Sequence, residues 1–424
     1  MTETEPFTEA DAEAMLVEED AGEVRPTPVA RLTAYMRGGG VLVPILTVII
    51  AFLIAGLVVL ITGHNPLTTY KSIFEGTGLN WLFPWVSGTE RATAASNLQQ
   101  TLIATTPLIL TGLAVAYAFR GGLFNIGGQG QYIVGSVIGV WVGSSFASMP
   151  AVPHIVFAIV AASLAGAAWA GIAGLLKATT GANEVISTIM LNWIAIWIGV
   201  YLFQLGGPLQ DPTNPSIPTS STVTSTAKLP VFWGPPDLQG LHIGLFIALA
   251  MAVVFWVVLN RSTTGYETRA VGYNPDAAQS SGMSVGRNYV RVMAISGMFA
   301  GMAGAIDVLG YEFHLATNDI QLSNIGFLGI AVALLGRSTA VGTVFAALLF
   351  GGLATGTSDR NANLADPTLT TTLTFLIQGL VILLVSTDVI ALAILRGRRR
   401  KPKTTAPRAP EPAATPPEVE EKAA

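Results

Sequence analysis

Read as hydrophobic and polar positions, the chain is a succession of apolar runs separated by short polar joints. The runs fall near 41–62, 97–119, 123–148, 153–177, 184–206, 241–260, 289–311, 322–336, 338–357 and 369–395, most of them close to the ~20 residues that cross a bilayer as a helix. The pattern predicts an all-α polytopic membrane protein with about ten transmembrane helices. An even number of crossings leaves both chain ends on one side. The eighth run, 322–336, is short for a straight span. Two joints are long, 63–96 and 207–240, and the second carries PLQDPTNPSIPTSSTVTSTAKLP, a Pro/Ser/Thr-rich loop.

Basic residues assign the sides, because Lys and Arg gather in cytoplasmic loops. With both termini inside, the cytoplasmic side holds Arg25, Arg31, Arg37, Arg120, Lys177, Arg261, Arg269, Arg287, Arg291, Arg337 and the basic residues beyond position 395. Of the 22 Lys and Arg residues, only Lys71, Arg91, Lys228 and Arg360 then lie outside. The expected location is the plasma (cytoplasmic) membrane. Residues 1–38 are acidic and poor in aromatics, and 396–424 are basic, then Pro/Ala-rich. Both are expected to be disordered cytoplasmic tails, flanking a membrane domain of 39–395. The first apolar run begins only at Val41 and is of spanning length, so a cleaved signal peptide is not expected.

Composition agrees: 51% of residues are hydrophobic and 11% charged, against roughly 25% charged in soluble domains. The net charge of −4 describes the tails, since 9 of the 26 acids lie within the first 23 residues. It argues neither for nor against a nucleic acid, and no nucleic-acid partner is expected. Without cysteine the chain has no disulfide framework, thiolate metal site or cysteine nucleophile.

Three polar interruptions stand out. GLFNIGGQGQYIVGSVIGV, residues 122–140, sets Asn125, Gln129 and Gln131 among glycines inside an apolar stretch. Backbone left unsatisfied in hydrocarbon costs several kcal/mol, so irregular chain survives only against protein or a water-filled cavity. Transporters place solute sites at such broken helices, and these amides offer uncharged donors and acceptors to a neutral polar molecule. The later glycines, Gly135, Gly139 and Gly143, have the spacing of close helix packing. In NEVISTIMLN, 183–192, Glu184, Thr188 and Asn192 share one helix face, with Trp193 and Trp197 continuing the apolar side. Asn192 fits a pathway or a buried structural hydrogen bond equally, and Glu184 fits a solvated or interfacial position. LSNIGFLGIAVALLG, 322–336, repeats the NIG of Asn125, Ile126 and Gly127 at Asn324, Ile325 and Gly326. Paired, interrupted segments point to a solute site, and they argue for an internal duplication with broken helices.

The longest cytoplasmic joint is RSTTGYETRAVGYNPDAAQSSGMSVGRN, 261–288. Glu267 to Val271 can form a short helix, Asn274 and Pro275 a capped turn, and Asp276 to Ser280 a second helix. Exposed Ala270, Ala277 and Ala278 would give a small-residue surface for docking into a groove on another protein.

The segment TRAVGYNPDAAQSSGMS, followed by SGMFAGMAGA, resembles the coupling region of inner-membrane permease subunits of ATP-binding-cassette importers, of the branched-chain amino acid and ribose permease type. TPLILTGLAVAYAFRGGLFNIGGQGQ, NEVISTIMLN and GIAVALLGR are similar to its nucleoside and simple-sugar branch, over roughly 95–395. LSNIGFLGI departs from the acidic or glycine-richer lead expected before GIAVALLG. The resemblance implies a cassette ATPase docking on 261–288, a second permease subunit, homologous or identical, and an extracytoplasmic solute-binding lipoprotein. It maps Glu267, Arg269, Ala270, Gly272, Asn274, Ala277, Ala278 and Gly282 onto the ATPase-coupling loop. ATP and magnesium are expected on the partner ATPase, with no cofactor bound by this chain. The residues alone agree, because no GxxxxGK[ST] phosphate loop occurs.

The sequence therefore reads as a permease subunit importing a nucleoside, with ribose or another simple sugar as the alternative. The pathway candidates are Asn125, Gln129, Gln131, Thr188, Asn192, Trp193 and Asn324. An ion-coupled secondary carrier would place a carboxylate within a span, and Glu184, Asp307 and Asp388 all fall near predicted ends. An intramembrane enzyme lacks support, since His64, His154, His242 and His314 are isolated near outer loops or ends, without an HExxH or GxSxG motif. No catalytic or metal-binding residue is expected.

Overall fold

A computed structural model describes residues 42–234, 240–358 and 367–386. Both expected tails, together with Arg360 and Asp388, lie outside the described residues. The chain runs through α1 (Leu42–Ile61), α2 (Pro66–Gly76), a 3-10 turn (Leu79–Leu82), α3 (Gly88–Arg120), α4 (Gly128–Ser145), α5 (Ala151–Thr180) and α6 (Glu184–Phe203). A small antiparallel ribbon, β1 (Val231–Trp233) with β2 (Leu241–His242), precedes α7 (Gly244–Arg261). Two short helices follow, α8 (Thr263–Tyr273) and α9 (Pro275–Ser280). Next come α10 (Val285–Asp307) with a π-helical extension (Val308–Glu312), α11 (Thr317–Leu322), α12 (Ile325–Leu335), α13 (Ala340–Gly356) and α14 (Pro367–Ser386).

Each of the ten apolar runs holds a helix, yet only seven segments among the described residues are long and apolar enough to span a membrane. They are α1, α3, α5, α6, α7, α10 with its extension, and α11 with α12. The glutamines, glycines and serines of α4 dilute its apolar residues, and α13 has 17 residues. The long joint 63–96 is also more ordered than the pattern predicts. Asn65 caps α2, accepting from Leu67 N at 2.9 Å, and α3 starts at Gly88 instead of 97, because GTERATAAS continues a helix well in the polar zone.

α3 and α10 form the centre. Within their apolar windows 83% and 78% of residues are buried, against 28% for α1, α5, α6 and α7. The peripheral helices therefore turn most of their apolar surface outward, as lipid requires. Small residues let the inner helices close up: a Cβ added to Gly135 on α4 would stand 2.2 Å from the Gly301 carbonyl oxygen on α10. Gly139 and Gly143 continue that line against Ala305 and Leu309, so these three glycines serve packing.

The Pro/Ser/Thr-rich joint lies over one end of the bundle. Ser220, Val223 and Leu229 donate backbone hydrogen bonds to Leu315, Phe313 and Leu309 at 2.9, 2.8 and 2.9 Å, covering the π-helical turn. The opposite end gathers basic residues: Arg120 donates to the Ser338 carbonyl at 3.0 Å, Lys177 pairs with Glu184 and Arg291 with Glu267, both at 2.7 Å.

Candidate functional site

The chain leaves helix at Gly121 and resumes at Gly128, and side chains satisfy the backbone set free. Asn125 Oδ1 accepts from Gly127 N at 2.9 Å, and its Nδ2 donates to Ser296 Oγ on α10 at 2.8 Å. Asn125 and Gln131 also exchange two amide hydrogen bonds, both 3.0 Å. Ser296 in turn donates to the Ala114 carbonyl of α3 at 2.6 Å. From α6, Asn192 Oδ1 accepts from Gly130 N at 2.7 Å and Nδ2 donates to the Ile126 carbonyl at 2.9 Å. The N–H groups that a helix start leaves orphaned are thus filled by Asn125 from its own segment and by Asn192 from a neighbour.

The second break, between α11 and α12, lies against the first. Gln129 Nε2 donates to the Ser323 carbonyl at 2.9 Å, and Gln129 Oε1 accepts from Gly326 N at 2.8 Å. One side chain therefore clamps both sides of the second gap. A Cβ on Gly326 would lie 2.3 Å from Gln129 Cα and 2.6 Å from the Gly128 carbonyl carbon, so the glycine of the second NIG packs on the residues just after the first at a distance only glycine permits.

The predicted residues now sort by environment. Asn125, Gln129, Gln131, Thr188 and Asn192 are all buried around the first break, with Thr188 Cβ 3.0 Å from where a Cβ on Gly127 would be. The four amides are engaged with protein groups, and Thr188 donates to the Glu184 carbonyl at 2.7 Å. Asn192 makes the structural hydrogen bonds that the sequence left as one of two readings. Trp193 stands apart, 57% exposed on the outer face of α6. Asn324 is exposed and lines a cavity of about 310 Å³ just beyond the breaks, together with Tyr132, Ser136, Glu312, Asp319 and Ser323. Glu184, expected in a solvated or interfacial position, opens α6 at the basic end and pairs with Lys177 at 2.7 Å.

Sequence reasoning missed the deeper part of this region. Asp307, which falls near a predicted end, closes α10 but is buried and accepts a hydrogen bond from Tyr132. The cause is the π-helical extension, which carries the chain on to Glu312. A π-turn has no compositional mark, although such turns often accompany functional sites. Ser296 was legible as a polar residue in SGMFAGMAGA. His154 and His242, though near outer loops or ends, are buried. His154 is held by Thr226 and the Val142 carbonyl at 2.9 and 3.0 Å, and His242 accepts from Gly244 N at 3.1 Å.

At the basic end, α8 and α9 form the expected pair of short helices. Asn274 Oδ1 accepts from Asp276 N and Ala277 N, both at 3.1 Å, with Pro275 at the first helical position. Glu267 pairs with Arg291, and Arg269 donates to the Leu259 carbonyl at 2.7 Å, fixing α8 to α10 and α7. Of the three alanines expected at the surface, Ala277 is exposed, Ala270 is half-buried and Ala278 is buried; Gly282 is exposed. The inner side of a six-residue helix closes on α10, and Ala278 lies there. The protruding residue is Tyr273, 95% exposed. Gly272 faces inward: a Cβ there would lie 2.4 Å from the Arg120 carbonyl oxygen and 2.7 Å from the Gly121 carbonyl carbon. The loop thus bears directly on the start of the first break.

Residues 97–386 match the family model of the permease component of branched-chain amino acid transport systems. The chain is 41% identical over 316 residues to the guanosine ABC transporter permease protein NupP of Bacillus subtilis, covering 74% of this chain and 85% of that one. It is 33% identical over 322 residues to the nucleoside ABC transporter permease protein NupB of Lactococcus lactis, covering 74% and 83%. The glucose ABC transporter permease protein TsgB13 of Haloferax volcanii is 33% identical over 352 residues, covering 81% and 87%. No solved structure matches the chain.

Proposed function

The chain belongs to the permease family of branched-chain amino acid transport systems, and from that premise we propose that it forms the translocation pathway for a nucleoside in an ATP-driven importer of the plasma membrane. The observation that carries this reading is the clamp of Gln129 across the second break. Two interrupted helices meet there beside a polar cavity, the arrangement in which half-helix ends serve solute binding. Asn125, Gln131, Thr188 and Asn192 hold the first break in shape, and Asn324 faces the solute. The substrate class follows the names of the two nucleoside permeases to which the chain is similar; the glucose permease favours a simple sugar as the second reading.

Both termini and the α8–α9 loop are cytoplasmic in this proposal, in keeping with the basic residues at that end. A cassette ATPase carrying ATP and magnesium docks on Tyr273, Asn274 and Ala277. Its closure pushes α8, and the contact of Gly272 with Gly121 and Gly122 passes the push to the first break. Asn324 opens onto the molecular surface, where a second permease subunit completes the pathway, and an extracytoplasmic solute-binding lipoprotein delivers the solute to the far end.

Reconstitution of the chain with its ATPase, second permease and binding lipoprotein tests this directly. Guanosine uptake that requires ATP and survives a collapsed proton gradient is the expected result. Uptake that disappears with the gradient would identify a secondary carrier, and uptake of glucose but no nucleoside would favour the sugar reading.

A further inference from the structure

We propose that Glu312 is the group that recognises the ribose ring, accepting hydrogen bonds from its vicinal hydroxyls at the far side of the cavity; this rests on the nucleoside reading above. Glu312 ends the π-helical turn and lines the 310 Å³ cavity, a volume at the lower end of ligand pockets. Among the described residues its carboxylate accepts no hydrogen bond, and the ion pairs lie elsewhere, at Lys71–Glu75, Lys177–Glu184 and Arg291–Glu267. A half-buried carboxylate without a partner, in a segment that spans the membrane, is costly and tends to be kept for function. What it lacks is donors.

The rest of the wall adds acceptors already engaged and, at Asn318, Asn324 and Ser323, amide and hydroxyl groups that can donate to a ligand oxygen. Tyr132 spends its hydroxyl hydrogen on Asp307, and the Ser323 carbonyl already receives Gln129. Asp319 accepts from Ala316 N at 2.9 Å. Ser323 Oγ is buried with no hydrogen-bond partner among the described residues. A ligand suited to this chamber brings adjacent hydroxyls, as a ribose does at its 2′ and 3′ positions: the Glu312 carboxylate can accept from both, and their oxygens can receive the amide and hydroxyl donors of the wall. A divalent cation is the other ligand such acids could serve, but no group of three His, Cys, Asp or Glu among the described residues is placed to hold one. Tyr132 and Asp307 act as positioning residues, fixing the wall of α4 against the turn that presents Glu312.

The test uses the reconstituted importer and compares uptake of guanosine with that of 2′-deoxyguanosine and 2′,3′-dideoxyguanosine, for the native chain and for Glu312→Gln and Tyr132→Phe. The native complex should prefer guanosine over the dideoxy compound. Glu312→Gln should lower guanosine uptake at least about tenfold, the loss of charge-assisted hydrogen bonds, while dideoxyguanosine uptake changes little and ATPase association persists. Tyr132→Phe should erode the same preference less. A native complex that carries all three compounds equally, or a Glu312→Gln chain that keeps the preference, would overturn the inference and leave nucleoside import standing. Equal loss of all three compounds in Glu312→Gln, with the ATPase still bound, would overturn it as well. A native complex that carries no nucleoside would overturn both.

Discussion

Gln129 Oε1 accepts a hydrogen bond at 2.8 Å from the backbone N–H of Gly326, 197 residues further along the chain. Its amide nitrogen donates to Ser323 across the same gap at 2.9 Å. A single side chain thus joins two interrupted helices that the sequence shows only as two short matching words, and the predictions start from that join.

Gln129→Ala orphans the Gly326 N–H and the Ser323 carbonyl, at about 1–3 kcal/mol for each group left unsatisfied. Uptake should fall at least about tenfold and the detergent-solubilised chain should melt at a lower temperature. Gln129→Glu keeps the acceptor and loses the donor, so its effect should be intermediate. A melting curve and uptake that Gln129→Ala leaves unchanged would remove the clamp.

Gly326→Ala places a Cβ 2.3 Å from Gln129 Cα, whereas a Cβ at Gly171 on α5 meets nothing within 4 Å. Overpacking against backbone costs about 1–3 kcal/mol, while alanine for glycine in an open helix gains roughly 0.5–1 kcal/mol. The first variant should be less thermostable and the second slightly more so. Thermal unfolding followed by fluorescence distinguishes them.

Gly272→Arg should uncouple ATP hydrolysis from uptake, because the new side chain would separate α8 from Arg120 and Gly121. Gly272→Ala should do so in milder degree. The ratio of solute moved to ATP hydrolysed in proteoliposomes is the measurement, and a native ratio in Gly272→Arg would show that the loop acts by another contact.

Tyr273 is 95% exposed, and large aromatics carry much of the energy where proteins dock. Tyr273→Ala should leave the melting temperature of the isolated chain within about 1 °C, since exposed substitutions stay within about 0.5 kcal/mol. Co-purification of the ATPase should drop. Undiminished association would move the docking surface elsewhere.

The helical runs, the two breaks and the loop were all legible, because each rests on local signals: apolar length, glycine, amides in hydrocarbon, and the Asn274–Pro275 cap. What was hidden depends on contacts across the chain. The amide of Asn125 read as offered to a solute, and that of Asn192 fitted a solute or a structural bond equally; their partners are Ser296, Gly130 and Ile126, which no spacing reveals. Ala278 read as surface because its helix was placed correctly but its rotation was not. Asp307 and Glu312 fall at the end of the run 289–311, where the π-helical turn that sets their surroundings has no compositional mark.

The most direct measurement exploits the absence of cysteine. In a chain carrying only Asn324→Cys, reconstituted with its partners, a membrane-impermeant maleimide should label the thiol from the water side. Guanosine delivered by the binding lipoprotein should slow that labelling, and ATP turnover should change its rate, as expected for a residue in the solute's route. A thiol that never reacts, or reacts at one rate with and without solute and ATP while transport continues, would contradict a pathway through the paired breaks.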